Sequence, residues 1–484
     1  MTAVGELACD RYADSRGGSG DEGGRSLRGW RQHRLILTPD DRSWTVLGMA
    51  DNDPVTARMS AIDAQLLWLS EKVPNDQFLL YAFGGSPADP GDAVAELHRR
   101  AERIPELRLI VRDDSPRRFP LWVGAAVTAE QFRIGRPGDW TECLATVARL
   151  PADPLVAERM TWRAHVFPDV PGIPGVPGSG SVVVVQISHA LGDGVRSAAL
   201  AGALLGRTGE LPRVAPAAGG SLPGLALAAA RAHRRMARET SAGLLPAAGP
   251  ARPPLSVNAR PGADRVIRTA VLRRERLPGP TVTVAVLTAV GEALGGYLRD
   301  RGEDVGMLGT EVPVAPRTPG ASTRNNFTNV GVGLHPQLGR AERALRIAAD
   351  LAARRRRLEH PAAGAAAAAF AVVPAAVLRW GVGRFDPDAR PATVSGHTVV
   401  SSVNRGPADL AFGGHPAVFT AGFPALSPVI SLTHGVHGLG PVVAVSVHAD
   451  PMRVDVDDYW RRLTRALGTG PECAQSGSSA EITP

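Results

Sequence analysis

Lysine is almost missing from this 484-residue chain: Lys72 is the only one, although Lys and Arg together number 54. Lys72 lies between Glu71 and Val73, outside any G-x-x-x-x-G-K-[ST] loop, which excludes nucleotide hydrolysis of the P-loop type. The net charge of +7 is therefore carried by arginine. With the Ala, Gly and Pro excess, this points to the codon bias of a GC-rich genome rather than to a nucleic-acid partner. Aromatic residues are only 5%, too few for a base-stacking platform. Cysteine is scarce as well, and Cys9, Cys143 and Cys473 are too widely spaced for a disulfide framework or a zinc site. The sequence has no G-x-S-x-G elbow, no G-x-G-x-x-G fingerprint and no apolar signal core at its N-terminus. Nor is any stretch expected to reach the roughly 18 apolar residues of a membrane span. A cytoplasmic protein is expected.

What remains is globular composition, 44% hydrophobic and 21% charged, in a chain too long for one ordinary core. Residues 1–58 are rich in Gly, Arg, Asp and Ser and are expected to be disordered. At Met59 the text changes, and "MSAIDAQLLWLSEK" opens a first domain over 59–206. Within it, "DAVAELHRRAERIPELRLIV" reads as a helix running into a strand. "RMTWRAHVF", a Pro/Gly turn and "SVVVVQIS" read as a hairpin-like pair. The Ala, Pro and Gly stretch 207–262 is expected to be a linker. A second domain over 263–470 carries strand "DRVIRTAVLRRE", the apolar helix "TVTVAVLTAVGEALGGYLRDRG", further strands and a closing helix. Residues 471–484 are expected to form a disordered tail. The two halves give an α+β arrangement in two copies.

The chemistry concentrates at residues 182–195, "VVVVQISHALGDGV", where a β-branched run ends in His189 and an Asp193-Gly194 pair follows four residues on. A strand is a rigid platform, and the loop after it can face a cleft, so an imidazole there is well placed for proton transfer. After a tight turn, Asp193 can hold the loop through a salt bridge, and Gly194 lets a helix start without steric cost. The pattern also admits a plainer reading, a hydrogen-bonded core histidine followed by a helix cap.

The segment "SHALGDG" resembles the H-H-x-x-x-D-G signature of the bacterial wax ester synthase/diacylglycerol acyltransferases. These belong to the CoA-dependent acyltransferase superfamily, together with chloramphenicol acetyltransferase, carnitine acyltransferases and peptide-synthetase condensation domains. "MSAIDAQLLWL", "MTWRAHVF", "TVTVAVLTAVGEALGGYL", "VPVAPR", "NNF" and "VVSSVNRGP" resemble further family segments in the same order, from about 59 to 470. The resemblance implies two chloramphenicol acetyltransferase-like α+β domains with mixed sheets flanked by helices and an active-site tunnel between them. It implies an acyl-CoA donor as substrate, no cofactor, and a hydroxylated small molecule or lipid as acceptor, with contact to a membrane or lipid droplet in view.

His189 would be the general base. Ser402, Asn404 and Asn326 are the candidate oxyanion donors, Asp193 and Gly194 the structural partners of the base, and Arg317 the ion-pair partner of Asp193. Ser188 stands where the family has its first histidine, Thr283 and Val284 where it has Asn-Asp, and Met160, Thr161 and Trp162 where it has P-L-W. These departures leave two other readings beside a wax ester synthase type of O-acyltransferase. One is a tailoring or condensation-like enzyme of natural-product synthesis, with a CoA or carrier-bound donor. The other is a non-catalytic lipid- or CoA-binding homologue.

Three further features invite function. His434 and His437, with His448 beyond, suggest a metal, but residues three apart on a strand face opposite sides and chelate poorly, so no metal site is expected. Arg354 to Arg357 read as a solvated helix end favoured by the dipole, or as a dock for CoA phosphates or anionic lipid. "GAAAAAFAVVPAAVLRW", broken by Pro374, reads as a packed helix, or as a face touching a membrane or an acyl tunnel.

Overall fold

The computed structural model describes residues 57–214, 219–315 and 323–469. The expected N-terminal extension lies outside these residues up to 56, and so does the expected tail at 471–484. In the first half β1 (Ala57–Arg58), α1 (Ala61–Ser70), β2 (Gln77–Phe83), α2 (Pro90–Arg103), β3 (Leu109–Arg112), β4 (Leu121–Gly124) and β5 (Phe132–Ile134) are followed by α3 (Trp140–Arg149), β6 (Trp162–Pro171), β7 (Ser179–Ile187) and α4 (Gly194–Leu204). Then come α5 (Leu222–Ser241), β8 (Val266–Arg273), α6 (Val282–Arg299), β9 (Gly309–Val314), β10 (Thr328–Gly333), α7 (Arg340–Leu358), α8 (Pro361–Ala371) and α9 (Ala375–Gly383). Strands β11 (Val399–Asn404), β12 (Ala411–Phe412), β13 (His415–Gly422), β14 (Leu432–Leu439) and β15 (Val442–Ala449) and helix α10 (Val456–Leu467) close the chain.

Two six-stranded mixed sheets carry the fold, in the orders β12-β13-β2-β7-β6-β5 and β10-β9-β11-β14-β15-β8, and β1-β4-β3 form a small third sheet. The expected α+β class with mixed sheets is what the chain adopts. β7 sits inside the first sheet, antiparallel to both β2 and β6, and Val182 to Val185 have no exposed surface. A continuous valine run suits a strand covered on both faces. β12 and β13 belong to the second half in sequence yet complete the first sheet, with Thr420 opposite Tyr81 and Ala421 opposite Leu80.

The two sheets meet where β13 crosses β14. A side-chain carbon on Gly435 would lie 2.0 Å from the Gly422 carbonyl oxygen, so only glycine permits this approach. Ile267 and Ala444 of the second sheet share one apolar cluster with Leu80, Val182, Val184 and Phe419 of the first.

Helix α6 starts at Thr281, whose side chain accepts the Val284 N–H, and it packs against α7 and α10 in the second core. Against expectation, it is long and apolar enough to cross a membrane, but most of it is buried inside the fold. A helix apolar on nearly all sides in a large domain is a core helix.

The stretch 207–262 is not loop throughout, because α5 occupies 20 of its residues. Its alanines and arginines favour helix, and Pro223 suits the first turn. Arginines of α7 tie down the segment after α5: Arg354 bonds the Ala247 carbonyl, Arg356 that of Leu244 (2.8 Å) and Arg357 that of Pro246 (3.0 Å). Three of the four arginines read as a solvated end or phosphate dock thus hold backbone carbonyls; Arg355 remains exposed.

Candidate active site

β7 ends at Ile187, and the chain turns at once. The Ser188 N–H donates to the Thr161 carbonyl on the neighbouring strand, and the Leu191 N–H donates to the Ser188 carbonyl, both at 2.9 Å. Ser188 is buried, and His189 is half-buried at the apex of the turn. Gln77 of β2 braces the loop from beneath, donating to the Gly192 carbonyl at 2.6 Å and to Ser197 Oγ at 3.0 Å. Asp193 caps α4: its Oδ1 accepts the N–H groups of Val195 (3.1 Å) and Arg196 (3.0 Å). Its Oδ2 accepts the Asn326 N–H at 3.0 Å from the second half. Among the described residues this carboxylate is satisfied by three backbone amides rather than by the salt bridge the sequence suggested, and Arg317 lies outside those residues. An ionised carboxylate at a helix N-terminus also meets the favourable end of the dipole. Gly194 leaves room for β11, since a side-chain carbon there would stand 3.3 Å from Val403 Cγ2.

Residues 323–327 reach across from the second half and complete the site. Asn325 Oδ1 lies 2.9 Å from His189 Nδ1, while Asn325 Nδ2 donates to the His189 carbonyl at 2.8 Å and to Asp63 Oδ1 at 3.0 Å. Both partners of Nδ2 are acceptors only, so the amide orientation is determined, and the oxygen must face the imidazole. That oxygen can only accept; hence Nδ1 carries the proton and donates it. Nε2 is left with its lone pair free, the tautomer a base requires.

Asp63, in the first turn of α1, holds this arrangement. Its Oδ1 accepts the Asn325 N–H (3.1 Å), and its Oδ2 accepts the Arg324 N–H (3.1 Å) and the Ser60 hydroxyl (2.7 Å). Burial pushes its carboxyl above the usual range against the pull of these donors. Burial also lowers the His189 pKa, opposed by hydrogen bonds to its own carbonyl and to Asn325 and by the charges of Asp193 and Asp63. Burial thus favours the neutral ring. Phe327 lies beside it with centroids 5.4 Å apart.

A buried ion cluster fixes the same segment. Glu106 pairs with Arg324 and, at 3.0 Å, with Arg196 of α4; the Arg324 guanidinium also lies over the Trp122 ring at 4.8 Å. Burial alone would raise the Glu106 carboxyl, but the two guanidinium groups outweigh it and hold it below its ordinary value.

Of the residues singled out in the sequence, the structure brings His189, Ser188, Asp193, Gly194 and the Asn326 backbone together. Ser402 and Asn404 are engaged elsewhere. Ser402 Oγ is 2.9 Å from Thr283 Oγ1, and the exposed Asn404 accepts the Gly406 N–H at 3.1 Å. Both alternate with Val403, the β11 side chain that meets Gly194. Their expected oxyanion role has no supporting contact with the imidazole here. Sequence reasoning misses Asp63 and Asn325. The available signals are Ser60-x-x-Asp63, a capping pattern that reads only as a helix start, and the Asn325-Asn326 pair, whose side-chain role falls to the first member and not to the second.

The three histidines of β14 and β15 are apart from this site. His434 bonds Tyr459 Oη (2.6 Å) and Thr398, His448 bonds the Pro424 carbonyl, and His437 packs beside Arg405 and Gly422.

Two mixed sheets joined by a crossover strand, with a histidine after a central strand where the halves meet, make up a two-domain chloramphenicol acetyltransferase-like fold. No known family profile and no curated protein matches the sequence. Among solved structures, the chain is similar to the wax ester synthase/diacylglycerol acyltransferase from Marinobacter aquaeolei VT8. That match has a TM-score of 0.56 at 19% identity and covers 85% of this chain and 98% of that one. It is also similar to the starter condensation domain of rhizomide synthetase RzmA, in a mutant complex with C8-CoA and Leu-SNAC. There the TM-score is 0.51 at 15% identity, covering 85% of this chain and 93% of that one. At these identities the likeness establishes the fold.

Proposed function

We propose that this chain transfers an acyl group from a CoA thioester to a hydroxylated acceptor, with His189 as the general base. The observation that carries the reading is the hydrogen bond from His189 Nδ1 to Asn325, which leaves Nε2 unprotonated on a neutral ring. Nε2 takes the hydroxyl proton as the acceptor oxygen attacks the thioester carbonyl. When the tetrahedral intermediate collapses, the imidazolium returns that proton to the departing thiolate. The ester bond forms as the thioester bond breaks, and no covalent acyl-enzyme is involved. The complex of the RzmA starter condensation domain, a fold neighbour, with C8-CoA supports an acyl-CoA donor.

Within this reading, a long- or medium-chain acyl group and an alcohol or diacylglycerol acceptor follow the resemblance to wax ester synthases. A second reading, a tailoring acyltransferase acting on a different hydroxyl or amine, is favoured by one observation. Thr283, which with Val284 stands where the resembled family has its Asn-Asp, pairs its hydroxyl with that of Ser402.

The test is free-thiol release from a panel of acyl-CoAs with hexadecanol, diacylglycerol or no acceptor, for wild type and His189→Ala. Acceptor-dependent release lost in the variant is the expected result. Release that persists in His189→Ala would refute the base, and activity confined to other acceptors would favour the tailoring enzyme.

A further inference from the structure

We infer that α5, α8 and α9 form a docking surface for an anionic lipid bilayer. α8 and α9 are joined at Pro374 with a bend of 100°. Their 11 and 9 residues, at about 1.5 Å each, are too short to span a membrane but suit the interface between headgroups and acyl chains. α8 is Ala-rich with Phe370 near its end, and only Ala362 of its residues is buried. α9 buries Ala375, Leu378 and Val382 and turns Val377 (55% exposed) and Trp380 (65%) outward. Arg384 follows on the same face, its guanidinium 5.4 Å from the Trp380 ring centroid. An exposed tryptophan backed by an arginine is the pairing expected at a membrane interface.

The charge beside this apolar bend is one-sided. α5 packs on α8 and buries none of its own residues. Leu227, Arg231, Arg234 and Arg238 recur at i, i+4, i+7 and i+11, which places them on one helical stripe, and all four are exposed. None of these three arginines has a carboxylate partner among the described residues. The only acidic residue between 219 and 262 is Glu239, already engaged by Arg235 (2.6 Å) and His360 (3.3 Å), and there is none between 361 and 385. A second copy of the chain is the poorer occupant, because a two-fold interface would set this arginine stripe against its own like charge. Anionic headgroups match it, while the apolar bend enters the interface.

The surface is linked to the site through α1. α8 and α9 rest on α1, the helix whose first turn carries Asp63. Lys72, just beyond α1, donates to the carbonyls of Gly383 (2.6 Å) and Phe385 (2.7 Å), and Arg379 pairs with Asp113 while lying 4.9 Å from the centroid of the Trp68 ring of α1. Docking here would bring a membrane-dissolved acceptor close to the histidine. That consequence rests on the proposed function; the docking itself does not.

The experiment is co-sedimentation of the full chain with phosphatidylcholine vesicles with and without phosphatidylglycerol, at low and high salt. Circular dichroism confirms that each variant is folded. Binding should require phosphatidylglycerol and weaken with salt. Arg231→Ala/Arg234→Ala/Arg238→Ala should lower the partition coefficient roughly a hundredfold, at roughly fivefold for each lost cation. Val377→Ser/Trp380→Ser should lower it independently, and His189→Ala should bind as wild type. Absence of vesicle binding, or binding indifferent to both variants, would overturn the inference. So would a lipid-free dimer in light scattering that Trp380→Ser dissolves. Vesicle binding without thiol release would leave the surface standing while the proposed reaction falls.

Discussion

Asn325→Leu is the sharpest perturbation of the site, because it deletes an acceptor and a donor while keeping roughly the same volume. In the native chain, the His189 Nδ1 hydrogen bond to Asn325 Oδ1 at 2.9 Å favours one tautomer. A neutral hydrogen bond of this kind is worth about 1 kcal/mol net, or about fivefold in the tautomer ratio. The variant also removes the Nδ2 bonds to the His189 carbonyl and to Asp63 Oδ1, which frees the ring to turn. Asp63 keeps its bonds to the Asn325 and Arg324 backbone and to Ser60. The fold should therefore survive with a loss of about 1–3 kcal/mol. Turnover should fall about 10–100-fold, by analogy with the loss of a group that orients a metal-ligating histidine. Nitrogen chemical shifts of labelled histidine report the tautomer without reference to any acceptor, and thiol release reports the rate. A folded Asn325→Leu protein that keeps both the Nδ1–H tautomer and the wild-type rate would refute the reasoning. A merely structural asparagine would shift the melting temperature and leave the tautomer unchanged.

Two predictions concern stability. Burial lowers His165, His434 and His448 from 6.5 to about 4, so as pH falls the unfolded chain takes up these protons first. Stability is fully present above pH 6.5 and is lost towards pH 4, by roughly 3 kcal/mol for each histidine. Asp76, raised by burial to about 6, returns roughly 3 kcal/mol as pH drops through 6 towards its unfolded value. The loss from these four groups is a sizeable part of the stability of a typical domain, about 5–15 kcal/mol, so melting temperature should fall as pH drops from 6.5 towards 4. A flat profile over that range would contradict the burial of these rings. Gly435→Ala would set a carbon 2.0 Å from the Gly422 carbonyl oxygen, backbone against backbone, and should cost ~3 kcal/mol or more in urea unfolding. Gly364→Ala in α8 meets nothing within 4 Å and should be neutral or slightly stabilising; equal effects from the two would refute the close approach.

The valine run of β7, its hairpin with β6, the apolar α6 and the histidine turn were legible in the sequence because each is encoded locally, by side-chain period and turn residues. Crossover of β13 was not. Alternation of apolar residues shows that a strand is buried but not which sheet buries it, and Thr420 donates to the Leu80 carbonyl across 340 residues. The site scaffold was hidden for the same reason. Asp63 and Asn325 are 262 residues apart, and neither is unusual where it stands: one fits a helix cap, the other a turn. Asp193, a local cap, was readable, whereas the amide it holds on Asn326 was not.

The departures from the resembled family take on meaning in this setting. Ser188 is buried, and its backbone groups, not its side chain, bond Thr161 and Leu191; the turn that presents His189 is therefore made without a first histidine. At the P-L-W position, Thr161 donates to the Leu109 carbonyl (2.6 Å) and the fully buried Trp162 to the Leu107 carbonyl (2.7 Å), so these two side chains anchor the start of β6 to β3 and to the turn before it. Thr283, at the Asn-Asp position, meets Ser402 across the second half, beside a Val284 that is buried in the core. None of these side chains bonds the imidazole, whose Nδ1 donates to Asn325, itself held by Asp63. Under the proposed reaction, these replacements bear on the acceptor and not on the base. Restoring histidine at 188 should then alter the rate far less than Asn325→Leu does, and thiol release from the two variants side by side would separate these roles.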